Sequence, residues 1–287
     1  MQDLKMETFL SVCEHQNFTK AADALGLTQP AVSRQMKSLE THYGVSLFQF
    51  EGKKMSLTTA GEMLYRYART ARSDERNLQK KLKEPGHRPL RLGATPTPGE
   101  FMLPKVLAGY LKTHPNPNIL LTIQNTSALL TRLDQDEIDL AVVEGNFSKQ
   151  DYAHLLFSRQ NFVPVCAENL PLASSSIEEL LRHTLIIREP GSGNREILEH
   201  SLSRHNLSPA DFAALIETND IKVQKALTRH GCGIAFLFEA AVSSEEGLRI
   251  IPAEGFPLQH TCNIIWRRES IFQEEYAALA HTFAQYL

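Results

Sequence analysis

The hydrophobic pattern of this chain changes period once, at Pro85-Gly-His-Arg-Pro89, and that change bounds what it can fold into. Before it, apolar residues recur at helical spacing, interrupted by one short hairpin pattern; after it, short apolar runs alternate with helix-like segments. An all-α head followed by an α/β body is therefore predicted, and 287 residues are enough for both.

Residues 26–40, GLTQPAVSRQMKSLE, carry the most informative pattern of the head. Thr28 can cap a helix and Pro30 falls in its first turn, where a missing N–H costs little. Val32, Met36, Leu39 and Tyr43 form one stripe of period 3.6, expected in the core. Gln29, Ser33, Arg34 and Lys37 lie off that stripe, each a donor suited to base edges or phosphates, although a merely solvated helix face is the plain alternative. Upstream, Met6, Phe9, Leu10 and Cys13 share a face of a first helix, and Asn17 to Leu25 make a second, rich in compact alanines and ending at Gly26. Helix, helix, short turn, helix is a helix-turn-helix, with Thr28 to Tyr43 as the recognition helix. Val45 to Leu57 then predicts a hairpin wing with Gly52 in its turn, and Lys53 and Lys54 at its tip able to reach a phosphate backbone.

Thr59-Ala-Gly-Glu62 fits a capping box and opens a long helix. Its seam, Ala60, Leu64, Tyr67, Ala71, Asp74, Leu78 and Leu82, suits pairing with the same helix of a second copy, which would supply the two-fold symmetry of a palindromic site. Packing along the body is the alternative. The expected domains are residues 1–58, a winged helix-turn-helix; 59–89, a linker and dimerisation helix with a hinge; and 90–287, the α/β body. Residues 1–88 carry a net charge of +4 and residues 89–287 one of −7, so a polyanion is expected to meet the head. The N-terminus has acids inside any apolar stretch and does not read as a signal peptide, so a cytoplasmic protein with no membrane partner is expected. Cys13, Cys166, Cys232 and Cys262 lack ligand spacing, so reduced structural thiols are expected, with neither zinc nor disulfides.

At this point the head resembles a known family. Phe18-Thr-Lys-Ala-Ala-Asp-Ala-Leu, Thr28-Gln-Pro-Ala-Val-Ser-Arg-Gln-Met-Lys-Ser-Leu-Glu, Gly44-Val-Ser-Leu-Phe and Leu57-Thr-Thr-Ala-Gly are similar, in order and spacing, to the N-terminal pattern of LysR-type transcriptional regulators. Where that family usually has an arginine after the Leu-Phe of the wing, this chain has Gln49, Phe50 and Glu51.

In the body, strands at 90–94, 119–124 and 138–144 alternate with helices at 101–114 and 126–135, a βαβαβ unit. Thr97-Pro-Gly-Glu100 reads as another capping box. A second set of strands and helices follows between Phe162 and Phe238, so two Rossmann-like α/β lobes are predicted. In such sheets ligands bind beyond the carboxyl ends of strands, against helix N-termini. Four helix starts are candidate walls: Thr95 to Thr97, Asn125 to Ser127, Ser192 to Asn194, and Thr218 to Asp220, which brings in Asn219. Each alone is explained by capping.

The resemblance extends through Gly93-Ala-Thr-Pro-Thr-Pro-Gly-Glu, Gln124-Asn-Thr, Ile138-Asp-Leu-Ala-Val-Val-Glu-Gly and Arg188-Glu-Pro-Gly-Ser-Gly-Asn-Arg. It implies an effector-binding domain like periplasmic binding proteins, with lobe I at 90–161 and 264–287 and lobe II at 162–263. It also carries inducer contacts onto Thr95, Thr97, Thr126 and Ser192, with Gln124 and Asn194 where the family more often has glycine and threonine. N–H dipoles and hydroxyls facing a cleft point to a small anion, such as a carboxylate, phosphate or sulfur oxyanion, and to no cofactor.

An enzyme is the competing class. Gly191-Ser-Gly lacks the spacing of a nucleophile elbow, Gly231-Cys-Gly is too short for a dinucleotide fingerprint, and eleven histidines show no metal-ligand cluster. Cys232 is expected to be a small buried residue in a tight turn. The sequence thus implies a ligand-responsive regulator bound to promoter DNA, a homodimer or homotetramer that could meet RNA polymerase. An α/β enzyme or small-molecule-binding protein whose head is only an interaction module is the alternative.

Overall fold

A computed structural model describes residues 4–52, 54–83, 89–115, 117–242, 247–253 and 255–287. The chain separates into two compact units, residues 1–86 with 269–272, and residues 87–268 with 273–287. Lys53 and residues 84–88 of the expected hinge lie outside the described residues.

The first unit contains α1 (Leu4–His15), α2 (Phe18–Leu25), α3 (Gln29–Tyr43), β1 (Phe48–Glu51), β2 (Lys54–Leu57) and α4 (Thr59–Lys83). Asn17 starts α2 by accepting from the Thr19 and Lys20 N–H groups at 2.9 and 3.0 Å, and Gly26 ends it at φ 65°. Val32, Met36 and Leu39 of α3 are buried among Phe9, Leu10, Val12, Ala21 and Phe48. Two expectations for this helix need correction. Thr28 occupies the N-cap position but its hydroxyl makes no capping bond. Tyr43 is 43% exposed, standing with Val45, Met63 and Tyr67 on an apolar surface instead of in the core. β1 and β2 form the antiparallel wing, with Glu51 opposite Lys54 and Gly52 turning at φ 61°.

The long helix α4 starts one residue earlier in its chemistry than Thr59 suggested. Thr58 is the cap: its hydroxyl accepts from the Gly61 N–H at 3.0 Å and donates to the Ser46 carbonyl at 2.7 Å. Leu64 and Ala68 turn into the core of the same unit, and Arg72 pairs with Glu14 at 2.7 Å. The predicted seam is therefore split. Leu64 is internal, whereas Tyr67, Leu78 and Leu82 remain exposed, as does Met63 beside the seam. Asp74 does not interrupt an apolar contact; its carboxylate accepts from the Ser270 hydroxyl at 2.7 Å and the Ile271 N–H at 2.8 Å within this unit.

The second unit is built on a nine-stranded mixed sheet among the described residues. β3 (Leu90–Ala94) pairs in parallel with β4 (Ile119–Ile123) and β5 (Leu140–Val143), with α5 (Leu103–Thr113) and α6 (Thr126–Asp134) as crossovers. β6 (Tyr152–Ala167) leads through α7 (Ile177–Leu181) to a second parallel set. That set is β7 (Thr184–Arg188), β8 (Ala214–Thr218) and β9 (Ile234–Phe238), connected by α8 (Gly193–Ser203) and α9 (Ile221–Arg229). β10 (Leu248–Ile250) pairs with β6; β11 (Leu258–Arg267) returns antiparallel to both β6 and β5, and α10 (Gln273–Ala284) closes the fold. The two lobes share the β6–β11 ladder, whose register slips at Cys262/Asn263. β6 begins ten residues before the strand expected at Phe162, because its polar middle, Ser158 to Asn161, hides a strand that crosses from one lobe to the other.

A Cβ at Gly61 would stand 2.1 Å from the Leu47 carbonyl oxygen. Gly61→Ala is expected to lower the stability of the first unit by about 1–3 kcal/mol through overpacking, read by thermal and urea melts. A neutral substitution would mean that α4 can slide on the wing.

Candidate DNA face and effector cleft

The α3 surface opposite the core presents Gln29, Pro30, Arg34 and Lys37 to solvent, with Ser33 half-buried and Thr28 exposed at its start. Gln29 donates to the Ser33 hydroxyl at 2.9 Å, one turn on, which orients both polar ends along one face. Among the described residues Arg34, Lys37 and the wing residue Lys54 have no acidic partner, so their charges remain available to a polyanion. The wing contributes a single described lysine, and Gln49, Phe50 and Glu51 add no positive charge.

In the second unit the sequence-predicted residues separate into a sealed group and a rim. Thr95, Thr97 and Thr126 of lobe I and Ser192 and Asn194 of lobe II are all buried, whereas Asn219 is exposed. The lobes meet at two glycines: a Cβ on Gly145 would lie 2.4 Å from the Thr126 hydroxyl, and one on Gly193 would lie 2.7 Å from the Gly145 Cα. The Ser127 N–H donates to the Gly191 carbonyl at 3.2 Å, and the Asn125 amide donates to Glu189 at 2.9 Å, also across the cleft. Beside this contact opens a cavity of about 400 Å³ lined by Pro96, Gln124, Asn125, Arg188, Asn219 and Lys222. Asn219 borders it directly; the five buried residues stand behind its wall.

The helix starts do not all cap as expected. Asn125 caps α6 and Asp220 caps α9 through their side chains. Thr97, by contrast, has helical dihedrals and no capping bond, because a π-helical turn at Pro98–Met102 precedes α5. Ser192 sits at the α8 N-cap without a side-chain bond. The Thr126 hydroxyl, the Gln124 amide oxygen and both amide atoms of Asn194 are buried with no hydrogen-bond partner among the described residues, and the buried Thr97 hydroxyl has the Glu144 carboxyl beside it. Unmade bonds of this kind are costly, and a polar molecule admitted on opening of the lobes would satisfy them.

Charged residues complete the cleft, and the sequence pattern missed them. Glu144 follows the fully buried β5, and Arg188 ends β7 at the equivalent place in the other lobe. Arg188 donates to the Glu189 carboxylate at 2.9 and 3.1 Å and to the Asn219 carbonyl at 3.2 Å. Lys222 approaches Glu100 at 3.9 Å and Lys225 lies 4.5 Å from the centre of the Phe101 ring, so further contacts join the lobes. An ionisable residue directly after a continuous apolar run, four residues for Glu144 and three for Arg188, was the available signal for both. Cys232 corrects another expectation, being exposed in its turn and not buried.

Burial pushes the Glu144 carboxyl up to about 7 from an ordinary 4.5, against the lowering effects of the Thr95 hydrogen bond and Arg188. The folded state thus keeps a proton that the unfolded chain gives up, and stability falls as pH rises from about 4.5 to about 7, by roughly 3 kcal/mol. Glu144→Gln should flatten that slope in denaturant melts taken across the window; an unchanged slope would assign it to other groups.

The model of the bacterial regulatory helix-turn-helix protein, lysR family, matches residues 4–62, and that of the LysR substrate binding domain matches residues 83–287. The HTH-type transcriptional activator CmpR of Synechocystis sp. is 32% identical over 292 residues, covering 99% of this chain and 93% of its own. An H2O2-bound mutant of Corynebacterium glutamicum OxyR superposes with a TM-score of 0.61 at 21% identity, over 98% of this chain and 91% of its own. The CcmR regulatory domain of Synechocystis PCC6803, in complex with 2-PG, gives a TM-score of 0.58 at 22% identity, over 67% of this chain and 96% of its own. With a helix-turn-helix in one unit and a two-lobed cleft in the other, the chain belongs to the LysR family of transcriptional regulators, ligand-responsive and DNA-binding.

Proposed function

We propose that this regulator reads promoter DNA with Thr28, Gln29, Pro30, Ser33, Arg34 and Lys37, steadied on the backbone by Lys54 and Lys53, and takes a small anion as its effector between the lobes. The observation that carries the effector assignment is the set of buried, unpartnered hydroxyl and amide atoms on Thr126, Gln124 and Asn194, with the Thr97 hydroxyl beside them. Neutral donors at the starts of α6 and α8, with the positive ends of those helices behind them, favour an anionic group. Thr95, Ser192 and Asn219 complete the proposed contacts. The effector prefers one closure of the lobes, and that preference changes DNA binding because both equilibria belong to one molecule.

The exposed apolar residues Met63, Tyr67, Leu78 and Leu82 of α4 support self-association through that helix, giving a homodimer and, by further pairing, a homotetramer. Two recognition helices then enter major grooves about 34 Å apart. The cleft acts by binding and not by catalysis, and the protein works in the cytoplasm, where it can meet RNA polymerase. No described helix is long and apolar enough to cross a membrane.

A gel-shift titration against the promoter flanking its own gene, at fixed salt with excess competitor, tests the DNA assignment. Arg34→Ala should weaken specific binding by about 1–3 kcal/mol; full affinity in that variant would remove α3 as the reading face. Thr97→Val should abolish the effector response while leaving DNA affinity unchanged, since Thr97 caps nothing. A Thr97→Val protein that responds normally would move the effector elsewhere.

A further inference from the structure

An anionic effector has one opponent already in the cleft. The Glu144 carboxyl is 4% exposed and lies behind the proposed anion contacts. The Thr95 hydroxyl donates to it, and the Thr97 hydroxyl lies beside it. From the other lobe Arg188 faces it, but that guanidinium is committed to Glu189 and the Asn219 carbonyl. From β11 come His260, whose ring meets the Glu144 backbone, and Cys262. Burial lowers the imidazole from its ordinary value and raises the thiol well above its own, so both stay neutral near neutral pH. Among the described residues no basic group forms an ion pair with Glu144.

The acids that border the cavity itself are accounted for. Glu189 pairs with Arg188, Glu100 approaches Lys222, and Asp220 caps α9. Glu144, one layer behind the wall, has no ion-pair partner at contact distance among the described residues. An anion held at Thr95 and Thr97 would be repelled by an ionised carboxylate directly behind those two hydroxyls.

We infer that an anionic effector enters this cleft together with a proton, which Glu144 takes up from solvent. This rests on the anionic reading of the cleft. Protonation removes the repulsion and also changes the chemistry of the layer in front of it: one carboxyl oxygen still accepts from Thr95 while the new O–H becomes a donor toward the neighbouring Thr97 hydroxyl, leaving that hydroxyl's own hydrogen for the ligand. Glu144 is thereby a specificity residue, excluding anions when charged and helping to hold them when neutral. The burial that favours the neutral acid makes the uptake accessible around neutral pH.

Sulfate, whose charge is fixed over the relevant range, is the probe for the purified full-length protein, titrated at constant ionic strength by calorimetry. Its affinity should fall about tenfold per pH unit once the pH exceeds the carboxyl's own value. Buffers of different ionisation enthalpy should count about one proton taken up per sulfate near pH 8. Glu144→Gln should bind sulfate with no such pH dependence and with no proton uptake. Equal wild-type affinity at about pH 6 and about pH 8.5, or zero proton uptake near the upper value, overturns the coupling while leaving the anion reading intact. Sulfate binding to neither protein at any pH overturns both. Proton uptake retained in Glu144→Gln assigns the proton to another group and overturns the role of Glu144.

Discussion

The closed cleft depends on a single steric condition, that Gly145 and Gly193 can approach until no side chain fits between them. Everything else at the site follows from that contact. It brings the starts of α6 and α8 together, buries Thr126 and Asn194, and puts strand ends from opposite lobes on either side of one cavity. Neither glycine has a positive φ, so both are required by space and not by backbone strain. The joining contacts are mostly polar and few: Asn125 to Glu189, Ser127 to Gly191, Lys222 to Glu100. An interface of that kind can open at modest cost, as a ligand-controlled equilibrium requires.

The ladder between β6 and β11 sets the opposite limit. Both strands belong to both lobes, so the lobes cannot drift apart; they can only flex about a shared spine. The slip at Cys262/Asn263 is the irregular point of that spine, and such bulges bend and twist a strand locally.

Much of this was legible in the sequence, for reasons that can be named. The helix-turn-helix core was readable because Val32, Met36 and Leu39 obey one period over two turns, and Asn17 and Gly26 carry unambiguous start and stop chemistry. Tyr43 obeys the same period yet is exposed, since periodicity gives a face and not the length of the surface that covers it. The parallel strands were readable as short apolar runs, while the polar middle of β6 was not, because a strand passing between lobes is buried on no single side there. At the cleft, hydroxyl residues at helix starts were visible, but what each one does was not. Asn125 caps and Thr97 does not, and the difference lies in a π-helical turn that no residue pattern announces. Glu144 and Arg188 were hidden by a different cause: an ionisable residue at a strand end reads as the start of a loop until the fold shows that the end is buried.

The root of α4 has a mechanical meaning. Thr58 ties the helix start to the Ser46 carbonyl, Gly61 rests against the Leu47 carbonyl, and Leu64 and Ala68 share a core with Val32, Met36 and Leu39 of α3. No flexible joint separates the long helix from the wing or from the recognition helix. The three move as one lever, so a few degrees of rotation in α4 become a displacement of Arg34 and Lys37 at the far end of that arm. In the proposed dimer, spacing between half-sites on DNA becomes a readout of helix angle, and the first unit acts as a caliper whose jaws carry the proposed reading residues.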